Sequence, residues 1–211
     1  MRSFFTHPLT LRVLSIVVVF SIWEYLGRIP ISPAFPTFLE TMAALWEMII
    51  DGSMAAVYPA TFQPLLIGLI VSSILGIACG VFMGLNHKAE WFGAPVFIVL
   101  QSAPLAALIP LLTFAYGIGL TSKILTVCIM SMPVIVLNAY TAVRHTPVSM
   151  IEMGKSYLGS RRQIIMKIII PSASPVIYAG LRLGAAMGFI GAILAELLIT
   201  PTGIGDLITY N

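Results

Sequence analysis

Five runs of almost uninterrupted apolar residues, at 9–26, 64–85, 92–116, 124–143 and 176–199, constrain this chain more than any other feature. A helix needs about 20 apolar residues to cross roughly 30 Å of hydrocarbon, and each run approaches that length. Strands of a membrane barrel would instead alternate apolar and polar residues over about ten positions. Within lipid every backbone N–H and C=O must find an internal partner, which a helix supplies from its own turns. The expected fold is therefore all-α, a polytopic helical membrane protein forming a single transmembrane domain over residues 1–211. Composition agrees: 59% of the 211 residues are hydrophobic and 9% charged, more apolar surface than a soluble domain of this size can bury.

The net charge of +3 would suit a nucleic-acid partner only if the cations shared one face. They fall instead in the connections between apolar runs, which makes them a topology signal and leaves no nucleic-acid partner expected. With Arg2 on the cytoplasmic side, His87, Lys88, Arg144, Lys155, Arg161, Arg162 and Lys167 also lie inside, and Arg28 and Lys123 lie outside. The first run follows Arg2 and Arg12 but has no small-residue cleavage site after it, so it is a span rather than a signal peptide. Cys79 and Cys128 sit within apolar runs at no metal-ligand spacing and are expected to pack. Phe38, Met42, Leu45 and Ile49 recur at helical spacing after Pro33 and Pro36, which predicts a short amphipathic helix on the outer surface.

Glycines and small residues repeat every four positions at Gly68, Ser72, Gly76, Gly80 and Gly84, and again at Gly180, Gly184, Gly188 and Ala192. Such stripes let helix backbones approach closely, either as static contacts or as faces that slide. The third run contains Pro95, Pro104 and Pro110, so its hydrogen-bond ladder must break near the middle. Gln101, Ser102 and Pro104, with Asn138 on the fourth run, mark either a substrate path or polar bonding between helices. Arg12, Glu24, Arg182 and Glu196 lie near span ends, where charges act as interfacial anchors or line an ion pathway.

Residues 144–175 form a connection far longer than the usual two to eight residues between packed helices. Pro147 and Ser149 open a helix, with Glu152 in its first turn and Lys155 towards its end. Gly159 permits a turn, and Arg161-Arg162 opens a second short helix that should stop before Pro171. A helix-turn-helix with a basic flank projecting into the cytoplasm has the form of a docking element.

This loop resembles the cytoplasmic EAA loop of ABC importer permeases, whose pattern is Glu-Ala-Ala, three residues, Gly, nine residues, Ile-x-Leu-Pro. Counted back from Pro171, Ile168 and Ile170 take the Ile and Leu places, Glu152 the Glu place, and Met153-Gly154 the paired Ala places. Lys155, Ser156 and Tyr157 follow, and Leu158 stands where the family has Gly, one residue before Gly159. Gln101-Ser-Ala-Pro104, Ile109-Pro110-Leu, Gly117-Ile-Gly119 with Ser122-Lys123, and Glu196 followed by Gly203-Ile-Gly205 are similar to the nitrate, sulfonate and taurine permeases. The resemblance implies a type I importer bundle in a bacterial inner membrane, a permease homodimer, and an extracytoplasmic solute-binding protein. It also implies a cytoplasmic ABC ATPase docked on the loop. A sixth span is expected after the present sequence. This chain would bind no cofactor and catalyse nothing, ATP and magnesium residing in the partner. That agrees with the lack of a GxxxxGK[ST] phosphate loop in the sequence.

Overall fold

A computed structural model describes residues 8–29, 35–199 and 202–210; Arg2, Pro33, Pro201 and Asn211 lie outside the described residues. Among the described residues the chain is helical throughout, with no strand. It divides into two compact units, residues 1–56 and 57–210.

In the first unit α1 (Pro8–Arg28) is apolar along its length. α2 (Phe38–Ile50) begins at a reciprocal cap: the Thr37 hydroxyl accepts from the Glu40 N–H at 3.2 Å, and the Glu40 carboxylate accepts from the Thr37 N–H at 2.9 Å. The Thr37 N–H and the Thr37 hydroxyl, both donating to it, hold the Glu40 carboxyl below its ordinary pKa. Phe38 stacks on Phe20 with centroids 4.5 Å apart and meets Trp23 edge-on at 5.5 Å. The helix expected from Phe38, Met42, Leu45 and Ile49 is thus formed.

The second unit is built around α6 (Leu120–Arg144). α3 (Ser53–Leu85) lies along it in parallel, because Gly68, Gly76, Gly80 and Gly84 face Val127, Ile135, Ala139 and Val143 in turn. α9 (Ile170–Leu198) lies along it in the opposite sense: Gly180 faces Asn138, Gly184 faces Ile135 and Gly191 faces Met130. Both small-residue stripes read from the sequence therefore meet the same central helix. A side chain at Gly80 would begin 2.5 Å from the Val136 carbonyl oxygen, so the close approach requires glycine there. α3 starts well before 64, since Pro59 and Pro64 each remove one ladder bond without ending the helix.

Among the described residues four helical stretches are long and apolar enough to cross a membrane: Leu9–Arg28, Ser53–Leu85, Leu120–Arg144 and Arg161–Leu198. The run at 92–116 is not one continuous helix. It is divided into α4 (His87–Ser102), a 3₁₀ turn at Leu105–Leu108 and α5 (Ile109–Tyr116). The break falls at Ala103-Pro104, where the proline ring forbids the α conformation to its predecessor and Ala103 is extended. The broken segment still traverses the bundle. Glu90 meets Tyr140 and Arg144 at one end, and Ile109 is buried with Ala195 and Ile199 at the other.

The helix that should stop before Pro171 does not stop. α8 (Arg161–Ile164) passes through a π-helical turn at Ile165–Ile169 directly into α9. The wider turn lets the Ile170 N–H reach the Ile165 carbonyl, and Pro171, which has no N–H, falls in the first turn of α9, where it is tolerated. The second helix of the loop and the last membrane helix are consequently one continuous rod.

Candidate functional site

The connection between α6 and α8 holds α7 (Val148–Ser156), and its geometry follows from two glycines and one leucine. α7 ends at Tyr157, after which Leu158 adopts φ 53°. Its N–H donates to the Lys155 carbonyl at 2.8 Å, and the Gly159 N–H donates to the Gly154 carbonyl at 3.0 Å. These paired bonds form a Schellman motif, which closes a helix through a left-handed residue. The turn that sequence places at Gly159 is thus made one residue earlier. Leu158 takes the left-handed conformation usually left to glycine, at a cost of about 1–2 kcal/mol. Gly159 serves a different purpose, since a Cβ there would lie 2.8 Å from the Gly154 carbonyl oxygen.

Gly154 is the buried residue of α7. A Cβ on it would begin 2.5 Å from Ile168 Cδ1 and 3.2 Å from Ile164 Cγ1, so the hairpin closes by seating these isoleucines on a bare backbone. One contact therefore accounts for the small residue and the Ile168 of the EAA-like pattern. The Ser160 cap on α8, reciprocated by Gln163, fixes the second arm. Ile164 and Ile169 continue into a buried cluster with Ala142, Val143 and Ala173, anchoring the hairpin to α6 and α9.

The exposed residues of the hairpin are different in character. Glu152, Met153, Lys155, Ser156 and Arg161 are exposed, and so is Pro171 on the continuous rod. Glu152 lies in the second turn of α7 rather than the first. Tyr157 is 84% and Leu158 93% exposed, a pair of large apolar side chains at the tip. Beside the hairpin Glu90 accepts from Tyr140 Oη at 2.6 Å and pairs with His87 at 2.9 Å and Arg144 at 3.3 Å, joining α4 to the end of α6. No sequence pattern announced that cluster.

The residues considered for a path are less concentrated. Gln101, Ser102 and Pro104 are exposed around the break after α4, and the Ser102 hydroxyl donates to the Ile98 carbonyl of its own helix at 2.9 Å. Asn138 donates to the Val134 carbonyl at 2.8 Å and lies against Gly180. Among the described residues no hydrogen bond joins it to Gln101 or Ser102.

At the opposite end of the bundle Glu196 is 1% exposed and is no interfacial anchor. Its carboxylate accepts from Thr61 Oγ1 at 2.7 Å and from the Gly205 N–H at 2.9 Å, and Lys123 Nζ stands 3.6 Å away. Lys123 also donates to Thr202 Oγ1 at 2.7 Å, and the Ile204 N–H donates to Thr61 Oγ1 at 2.9 Å. Gly203, at φ 77°, has no room for a Cβ against the Glu196 carboxylate. The sequence had these residues as separate fragments; only the fold assembles them into a cross-linked cap.

The sequence that folds in this way is matched by known proteins. Residues 73–210 match the family model described as binding-protein-dependent transport system inner membrane component. The chain belongs to that family. Its relatives are ABC importer permeases. The taurine transport system permease protein of Escherichia coli is 26% identical over 96% of this chain and 76% of its own length. The formylaminopyrimidine transport permease protein of Halalkalibacterium halodurans is 28% identical over 97% of this chain and 80% of its own. A nitrate import permease protein of Synechocystis is 25% identical over 99% and 80%. This permease is accordingly a multi-pass membrane protein, and its family works with separate ATPase and solute-binding subunits.

Proposed function

We propose that this chain is the membrane-spanning subunit of an ATP-driven importer for a small anion such as a sulfonate or nitrate, working as a homodimer. The observation that carries the coupling role is the hairpin itself: its inner face is locked by Gly154 on Ile168, and its tip offers Tyr157 and Leu158 to solvent. Large apolar groups on a rigid, basic projection suit insertion into a groove of a cytoplasmic ABC ATPase. The N-terminus is then cytoplasmic, a placement that the distribution of Lys and Arg favours. An extracytoplasmic binding protein delivers solute at the other end.

Because α8, the π turn and α9 form one rod, a displacement of the hairpin is transmitted along a membrane helix rather than absorbed in a loop. Two loops driven together by ATPase closure would favour one arrangement of the spans over the other. ATP and magnesium act in the partner, and no cofactor is held by this chain. Gln101, Ser102 and Pro104, at the broken helix, and Asn138 are the candidate path residues. The taurine and nitrate transport named for two relatives supports a substrate bearing a sulfonate or similar anionic group.

Co-purification with the ATPase tests the docking. Gly154→Val should release the ATPase from the permease, whereas Arg182→Gln, on α9 and away from the hairpin, should leave it attached. Transport by the chain purified alone would favour a self-sufficient carrier, and a Gly154→Val variant that keeps its ATPase but loses lipid binding would favour a membrane scaffold.

A further inference from the structure

Between the hairpin and the ends of α3 and α6 lies a cavity of about 500 Å³, within the size range of small-molecule sites. Its floor is apolar, formed by Leu85, Ile151 and Ile165 over the buried cluster that anchors the hairpin. Val143, Ile164 and Ile169 complete the apolar lining, and the polar side chains that line it are all cationic: Arg144, Lys155 and Arg161. No acidic residue lines it among the described residues. Arg144 is shared with Glu90 outside the cavity at 3.3 Å, while Lys155 and Arg161 have no carboxylate within ion-pair distance among the described residues.

We infer that this cavity is a binding site for one anionic phospholipid of the cytoplasmic leaflet. The position selects a lipid over a soluble anion. The cavity sits where two membrane-length helices end, at Leu85 and Arg144, which on the proposed cytoplasmic placement sets it near the headgroups of that leaflet. A phosphate placed among the three cations would leave the first part of an acyl chain against Leu85, Ile151 and Ile165. Neither half of the cavity alone fits a purely polar or a purely apolar ligand. Basic pockets between membrane helices on the cytoplasmic side recognise such headgroups. The bound lipid touches the span ends and both arms of the hairpin at once, so it stabilises the hairpin seated on the bundle and links the leaflet's charge to coupling.

The inference rests on the cytoplasmic placement proposed for the hairpin, which cysteine labelling from each side of the membrane reads separately. The test is native mass spectrometry of the complete transporter, titrated with phosphatidylglycerol or phosphatidylcholine. Phosphatidylglycerol should be retained preferentially. Lys155→Gln with Arg161→Gln should weaken its binding by roughly tenfold or more, each cation contributing about fivefold. Both residues are exposed, so the fold should persist. Ile151→Trp, which fills the floor and leaves every charge in place, should also weaken it. Lys88→Gln, on the same side but outside the cavity, should not. Equal retention of the two lipids, an equal loss in Lys88→Gln, no loss in Ile151→Trp, or displacement of the lipid by glycerol phosphate would each overturn it. ATPase attachment is scored in the same spectra, so a failure of docking with lipid binding intact is distinguishable from a failure of the lipid site.

Discussion

The two ends of the second unit are held by opposite means. At the end bearing Glu196, buried charges and directed hydrogen bonds from Thr61, Lys123 and Gly205 fix helices that meet from distant parts of the chain. At the hairpin end, apolar contacts on Gly154 and a left-handed leucine fix residues that are near in sequence, and Lys155 and Arg161 remain exposed. A buried ion pair tolerates little change, because losing one partner strands the other in a medium that cannot solvate it. Apolar contacts carry no such penalty and can shift at lower cost. On the proposed function, the difference suits the first end to rigidity and the second to transmission.

The comparison is broken most severely by Glu196→Ala, which leaves the Lys123 ammonium buried without its counter-charge. The permease should lose about 3–5 kcal/mol, read as a lowered thermal unfolding midpoint in detergent. Gly203→Ala adds a Cβ against the Glu196 carboxylate and at a positive φ, and should cost about 1–3 kcal/mol by the same measurement. Gly154→Val should cost a similar 1–3 kcal/mol through overpacking on Ile168. Its signature differs, since the hairpin should become more open to proteolysis while the cap at the other end keeps its protection. Leu158→Gly has the smallest effect and the opposite sign. Relief of left-handed strain should stabilise the hairpin by about 1 kcal/mol, seen as slower exchange of the Leu158 and Gly159 amides, while ATPase affinity falls with loss of the exposed side chain.

The two ends also differed in how far sequence revealed them. The hairpin is local: Glu152, Gly154, Ile168 and Pro171 keep a fixed spacing, so a pattern can carry it. Even so, the turn's left-handed residue is Leu158 rather than Gly159, because the Schellman bonds count from the end of α7 and not from the nearest glycine. Pro171 pointed to a helix stop, but the π turn at Ile165–Ile169 absorbed the missing N–H and joined α8 to α9. Periodicity cannot show a one-residue change in helical pitch. The apolar runs located the membrane helices, and Pro104 located the break in the third. The small-residue stripes indicated faces but not their common partner, α6. The cap was out of reach for another reason, since Thr61 and Glu196 are 135 residues apart and nothing local links them.

The most direct test of the coupling account is cross-linking from single cysteines in the assembled importer, with Cys79 and Cys128 replaced. Leu158→Cys at the hairpin tip should cross-link to the ATPase, with a yield that changes when ATP is bound, and Ile118→Cys near the opposite end should not. Cross-linking from Ile118→Cys but not from Leu158→Cys would contradict it.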